Sequence, residues 1–148
     1  MDALILNTDR HHENWAMLRK TVPRGQVQHW LAPSFDHASS LGRELTEFRL
    51  AKWQHEPWRV EWYAKRPHGG IFLKSEGRRG ENPLHLAEVS YRRWPLYLAP
   101  WITRLQRLGC TPLLDIVERV PESCISELSR SFSKELLTYN CNRLRRLQ

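Results

Sequence analysis

Between Asn14 and Asp36 the chain has room for one β-hairpin and little else. Trp15-Ala16-Met17-Leu18 is a short apolar run, and Pro23 and Gly25 punctuate a turn within Arg19 to Gln26. Val27-Gln28-His29-Trp30-Leu31 then alternates loosely, the pattern of a half-buried strand. Pro33 ends it, because proline cannot donate to a ladder. A hairpin returns the chain to its starting point. The polar segment before it and the polar segment after it are therefore expected side by side.

The first segment is Asn7-Thr8-Asp9-Arg10-His11-His12-Glu13-Asn14, with Asp9 and Asn14 five positions apart. Kinase catalytic loops hold a base Asp and a metal-binding Asn at this separation. The carboxylate has to face the attacking hydroxyl, while the amide oxygen reaches a magnesium ion on the phosphates. A short irregular loop can aim both into one cleft. The second segment, Leu31-Ala32-Pro33-Ser34-Phe35-Asp36, puts a carboxylate directly after the hairpin, where a kinase carries its second metal ligand. One Asp and one Asn, completed by phosphates and water, suit Mg²⁺. Taken singly, each of these residues also reads as an ordinary turn former or strand-end cap.

Taken together, N-x-D-R-H-x-x-N, a hairpin-length interval and L-A-P-x-F-D resemble the catalytic core of HipA-like serine/threonine kinases, a family of bacterial toxin-antitoxin kinases. The two motifs cover roughly the first quarter of the chain. The segment Ile116 to Pro121 and a final helix from Phe132 to Leu147 are similar to the family's C-terminal end, less specifically. The resemblance implies that Asp9 is the catalytic base and that Asn14 and Asp36 bind the cofactors ATP and Mg²⁺. It implies that His11 stabilises charge on the transferring phosphoryl group. The alternative role for His11 is an imidazole hydrogen-bonded to loop backbone. Arg10 is expected to pair with a nearby carboxylate, and His12 and His37 to face solvent or pack. The D-R-H-x-x-N loop also resembles that of phosphoinositide-type lipid kinases, so a lipid kinase is the second enzyme reading.

After Gly42 the pattern turns helical, which gives an α+β chain, mainly α: a short hairpin with catalytic and metal loops over 7–42 and a helical body over 43–148, one domain in all. Helices are predicted from Glu44 to Trp53, from Pro57, and from Leu84 to Leu108 with interruptions near Pro95 and Pro100. A further helix opens on a Thr111 cap with Pro112 behind it, and a last one is capped by Ser126. Leu128, Phe132, Leu136, Leu144 and Leu147 would form the buried stripe of that last helix. Pro67 to Gly80 holds four of the seven glycines and reads as a loop, with a short strand at Ile71-Phe72-Leu73. The seven tryptophans are expected in the core and at a lobe interface, with Trp15 and Trp30 at an exposed edge.

The composition, 41% hydrophobic and 26% charged, is that of a globular chain. No apolar run approaches the ~20 residues that span a bilayer, and the N-terminus lacks a basic signal region, so a cytoplasmic location and no membrane partner are expected. Cys110, Cys124 and Cys141 match no zinc spacing and read as three reduced thiols. The net charge of +7 is spread along the chain without a recognition pattern, so direct nucleic-acid binding is not expected.

A kinase also needs a phosphate-covering loop and a phosphate-contacting Lys ahead of the catalytic loop, and only Met1 to Thr8 precede Asp9. Gly69-Gly70 and Lys65 or Lys74 lie downstream, in the wrong topological place. A misplaced start codon, a degraded gene or one half of a split kinase would each produce this order. The partners then expected are the N-terminal kinase lobe or a complementary chain, a protein substrate and a DNA-binding antitoxin. A non-catalytic remnant that docks such a partner is the reading from outside the enzymes.

Overall fold

The computed structural model describes residues 1–73 and 77–147, without the side chain of Arg24; Lys74 lies outside the described residues. The described chain is a mainly helical α+β fold. A short helix α1 (Asp2–Ile5) and a 3₁₀ turn (His12–Asn14) lead into strands β1 (Met17–Thr21) and β2 (Val27–Leu31). Helices α2 (Glu47–Trp53), α3 (Trp58–Lys65), α4 (Pro83–Arg93), α5 (Pro95–Leu108), α6 (Thr111–Glu118) and α7 (Glu127–Arg145) follow. Among the described residues no helix is long and apolar enough to cross a membrane.

Local chemistry sets these boundaries. Thr46 caps α2 by accepting from the Arg49 amide, and Ser126 caps α7 by accepting from the Ser129 amide, as its sequence predicted. The side chain of Asn82 accepts from the Leu84 and His85 amides at the start of α4. Its own amide group donates to the carbonyls of Ala64 and Pro67, tying the end of α3 to α4. Pro95 biases Trp94 away from helical geometry and separates α4 from α5, whereas Pro100 is accommodated inside α5. Thr111 is not the cap of α6. Cys110 occupies that position without a side-chain hydrogen bond. No strand forms at Ile71 to Leu73.

Helix α7 is the central post. Phe132, Leu136 and Leu144 are buried on it against Leu6, Leu45, Leu50, Val60, Tyr63, Ala64 and Leu84, with Leu128 and Leu147 partly buried at the edges of the same cluster. Tyr63 meets Phe132 edge-on at 5.3 Å between ring centroids, and Trp53 packs beside both. Gly42, at φ 76°, lies so close that a Cβ there would stand 2.7 Å from the Phe132 ring. Of the tryptophans, Trp53 and Trp62 pack and Trp15 and Trp30 are exposed, as expected, but Trp58, Trp94 and Trp101 are exposed as well.

The expected hairpin is present, and its register runs from Met17 opposite Leu31 to Thr21 opposite Val27. Its burial differs from the expectation. All ten strand residues are exposed, so β2 is open on both faces rather than half-buried. Among the described residues the ribbon has no third strand, and two strands alone are marginal in water.

A disulfide joins Cys110, between α5 and α6, to buried Cys141 of α7, with 6.1 Å between the Cα atoms, and Cys124 alone is free. This corrects the expectation of three reduced thiols. Nothing in a sequence separation of 31 announces the pairing; the packing of α5 and α6 on α7 produces it.

Candidate functional site

The loop before the hairpin begins where α1 ends. Leu6 is buried and adopts a left-handed conformation (φ 52°), which turns the chain out of the helix into Asn7. The Thr8 amide donates to the Ser39 carbonyl and the Leu41 amide to the Ile5 carbonyl, so the strand-like segments before and after the hairpin lie against each other. Asp36 and Leu41 are also left-handed, at φ 54°. Leucine pays roughly 1 kcal/mol or more for that geometry, whereas aspartate tolerates it. Two strained leucines and one left-handed aspartate thus bracket the two loops.

Two buried side chains stitch the loops together. Asn7 accepts from the Asp9 amide at 3.0 Å and donates to the Asp36 carbonyl at 3.4 Å. Arg10, only 7% exposed, grips the Asp2 carboxylate with a fork of two bonds, Nε and Nη2, each 2.9 Å. Its Nη1 donates to the carbonyls of Asn14 and Phe35, and its Nη2 lies 3.2 Å from Nδ1 of His37. The hydrogen bonds to Asp2, and the charges of Asp2 and Asp36, hold the Arg10 guanidinium more firmly protonated than usual despite its burial. Asp9, Asn14, Phe35 and Asp36 are therefore fastened at the backbone to one clasp made of Asn7 and Arg10.

The four sequence-predicted site residues differ in what their side chains do. Asn14 is 4% exposed and donates through Nδ2 to the Asp9 carbonyl at 2.7 Å. A carbonyl can only accept, so the amide orientation is fixed and Oδ1 is the atom left to coordinate. The carboxylates of Asp9 and Asp36 are exposed, and neither has a hydrogen-bond or ion-pair partner among the described residues. His11 caps the 3₁₀ turn by accepting from the Glu13 amide at Nδ1, 3.2 Å away. That bond gives it the backbone-anchoring role that was the alternative to charge stabilisation, and it leaves Nε2 as the side carrying the proton.

Among the described residues no cluster of three or more His, Cys, Asp or Glu side chains is placed to hold a metal ion. The donors present are one carboxylate, Asp36, and one amide oxygen, Asn14. Hard oxygens of this kind fit Mg²⁺, which keeps its waters and phosphate oxygens and asks for few protein ligands.

Sequence reasoning missed Asp2 as the carboxylate that Arg10 holds, because a polar residue at the start of an apolar helix turn signals only a helix terminus. It also gave no sign that Gly69-Gly70, in the wrong topological place for a phosphate-covering loop, return to this site. The loop folds back so that a Cβ on Gly70 would stand 2.8 Å from the Arg10 carbonyl oxygen, and Gly69 packs near the Thr8 carbonyl. These glycines, Asp2, Asn7 and Arg10 share the lining of a cavity of about 260 Å³ against α4, which Asp9, Asn14 and Asp36 do not line. Gly70→Ala is expected to destabilise the chain by about 1–3 kcal/mol, because the clash is with backbone rather than a movable side chain. Urea unfolding of the two proteins checks this, and an unchanged midpoint would show that the loop is free to retreat.

Comparison of the chain with family models, with curated proteins and with solved structures finds no match in any of the three.

Proposed function

We propose that this chain carries the catalytic and metal-binding loops of a HipA-like, ATP-dependent serine/threonine protein kinase, the C-terminal lobe of a kinase-like fold, acting in the cytoplasm with a complementary nucleotide-binding lobe. The observation that supports this reading is the clasp: Asn7 and Arg10 bind the backbones of the loop Asp9–Asn14 and of Phe35–Asp36 at one end of the hairpin. Two segments with kinase-like spacing are thereby held against each other with both carboxylates open to solvent.

In this reading Asp9 orients the hydroxyl of a protein Ser or Thr and takes its proton. Asn14 Oδ1 and the Asp36 carboxylate hold Mg²⁺, which supplies charge neutralisation on the phosphates of ATP when bound. Arg10 touches neither substrate nor metal; it keeps the two loops in register. His11 positions the turn that carries Asn14.

The second reading is a non-catalytic module that docks a partner such as a DNA-binding antitoxin. The ribbon with both faces open favours it. Met17 and Leu31 on one face, and Leu18 and Trp30 on the other, are apolar and exposed.

The test uses the full chain, alone and with a nucleotide-binding lobe. The chain alone is expected to transfer no phosphate. In the completed enzyme, Asp9→Asn should abolish transfer and leave Mg²⁺-dependent ATP affinity unchanged. Asp36→Asn should abolish transfer and weaken that affinity as well. Both variants should melt like the parent, since each side chain is exposed and unpaired. Transfer that survives both substitutions would sink the kinase reading. Absent ATP binding with intact capture of a partner would select the docking module.

A further inference from the structure

We propose that the outer face of α5, with the end of α4, is a docking surface for a membrane bearing anionic lipid headgroups. This goes beyond the kinase reading and does not depend on it. It also departs from the expectation of no membrane partner, which was read from span length, whereas adsorption requires only one exposed face.

Helix α5 has an occupied side and an open side. Ile102 and Leu105 pack on the core, and Leu98, one turn before Ile102, is half-buried on the same side. The rest of the helix circumference carries Leu96 at 87%, Tyr97 at 75% and, at its flank, Trp101 at 67% exposure, and Trp94 at the α4–α5 break is also exposed. The inner contacts hold the helix in place, so this apolar group cannot be withdrawn by rotation. Large exposed apolar groups of this kind mark interaction sites.

Charge chooses the occupant. From Val89 to Leu114 the chain has four arginines, Arg92, Arg93, Arg104 and Arg107, and no Asp or Glu. None of the four has an ion pair among the described residues, and Arg93 lies 4.9 Å from the centre of the Trp94 ring. Arg92 and Arg93 stand before the aromatic group, and Arg104 and Arg107 one and two turns after it. A second copy of the chain would set this acid-free segment against itself, arginine facing arginine. An anionic bilayer instead offers phosphates to the flanking guanidiniums and an apolar layer to the residues between them. Trp and Tyr rings, apolar with one polar edge, settle at that boundary.

The experiment is sedimentation of the full chain with vesicles of pure phosphatidylcholine or of phosphatidylcholine with about one-third phosphatidylserine. Binding is expected only to the anionic vesicles, with a blue shift of tryptophan emission and loss on adding salt. Arg104→Gln/Arg107→Gln should weaken binding on the order of 25-fold, about fivefold per charge. Trp101→Ala should weaken it about tenfold and remove most of the blue shift. Both variants should keep the parent's circular dichroism and melting curve, because the altered side chains lie outside the core. Arg19→Gln/Lys20→Gln removes the same charge from the hairpin and should bind like the parent. Equal losses in the two double variants, binding to polyglutamate that matches the vesicles and ignores Trp101→Ala, or failure to bind anionic vesicles would each overturn the proposal. So would a dimer in solution that Trp101→Ala dissolves.

Discussion

Replacing Arg10 by Leu is expected to cost about 3–5 kcal/mol of stability, the range for removing one partner of a buried ion pair. The side chain cannot be replaced by packing alone. Its loss leaves the Asp2 carboxylate, the Asn14 carbonyl and the Phe35 carbonyl without the donor they share. Asp2 is about one-third exposed and water will satisfy part of it, which favours the lower end of the range. Arg10→Lys should recover only a part, since a single ammonium cannot reproduce a fork that spans a carboxylate and two carbonyls. The pH dependence distinguishes this clasp from general packing. Burial alone would raise the Asp2 carboxyl; the hydrogen bonds and charge of Arg10, with the Asn7 amide, outweigh it and hold the group below its ordinary 3.8. A depressed carboxyl stabilises the fold in full above that ordinary value and loses its contribution as pH falls through the lower folded value. The stability gap between parent and Arg10→Leu should therefore be constant near neutrality and shrink below about pH 4. Urea titrations at stepped pH measure it. A gap that does not change in acid would mean that the Asp2 charge contributes nothing.

What could be read from the sequence followed from local rules. The hairpin and its turn rest on Pro23, Gly25 and short apolar runs, and both are present. The cap at Ser126 and the break at Pro95 are equally local. The stripe of α7 was legible because its 3.6-residue period survives any tertiary context. The α6 cap, expected at Thr111 and found at Cys110, is a local miss, and the larger failures come from contact between residues distant in sequence. Whether β2 is half-buried depends on what covers it, and alternation within five residues cannot say. The clasp needs Asp2, Asn7, Arg10 and Phe35 to converge, and only the motif positions among them carried a signal. The return of Gly70 to the Arg10 carbonyl accompanies the tie of Asn82 to the Ala64 and Pro67 carbonyls and the bond of the Gly69 amide to the Glu81 carbonyl, for which a glycine-rich loop gives no address.

Reduction of the Cys110–Cys141 disulfide is expected to lower stability by about 3 kcal/mol. Bridging residues 31 apart removes loop entropy from the unfolded chain, and the entropic relation gives roughly 3.5 kcal/mol for a closure of this length. For a chain of this size that is a fall in melting temperature on the order of 10 °C. The bridge staples the α5–α6 junction to α7, and α5 buries only one side, so that region should open first. Hydrogen exchange under reducing conditions is expected to speed up over 95–118 before it does over the core of α7. Cys110→Ala should reproduce the effect of reductant, because Cys110 is only half-buried and its loss leaves little cavity. Cys124→Ser should do nothing, as that thiol is exposed and unbridged. Alkylation in denaturant, which exposes the buried Cys141, followed by intact-mass measurement gives an independent count: one adduct without reductant and three after reduction. Three adducts without reductant would restore the reduced-thiol reading and remove the staple. One adduct would count against the cytoplasmic setting, because lasting disulfides belong to oxidising compartments.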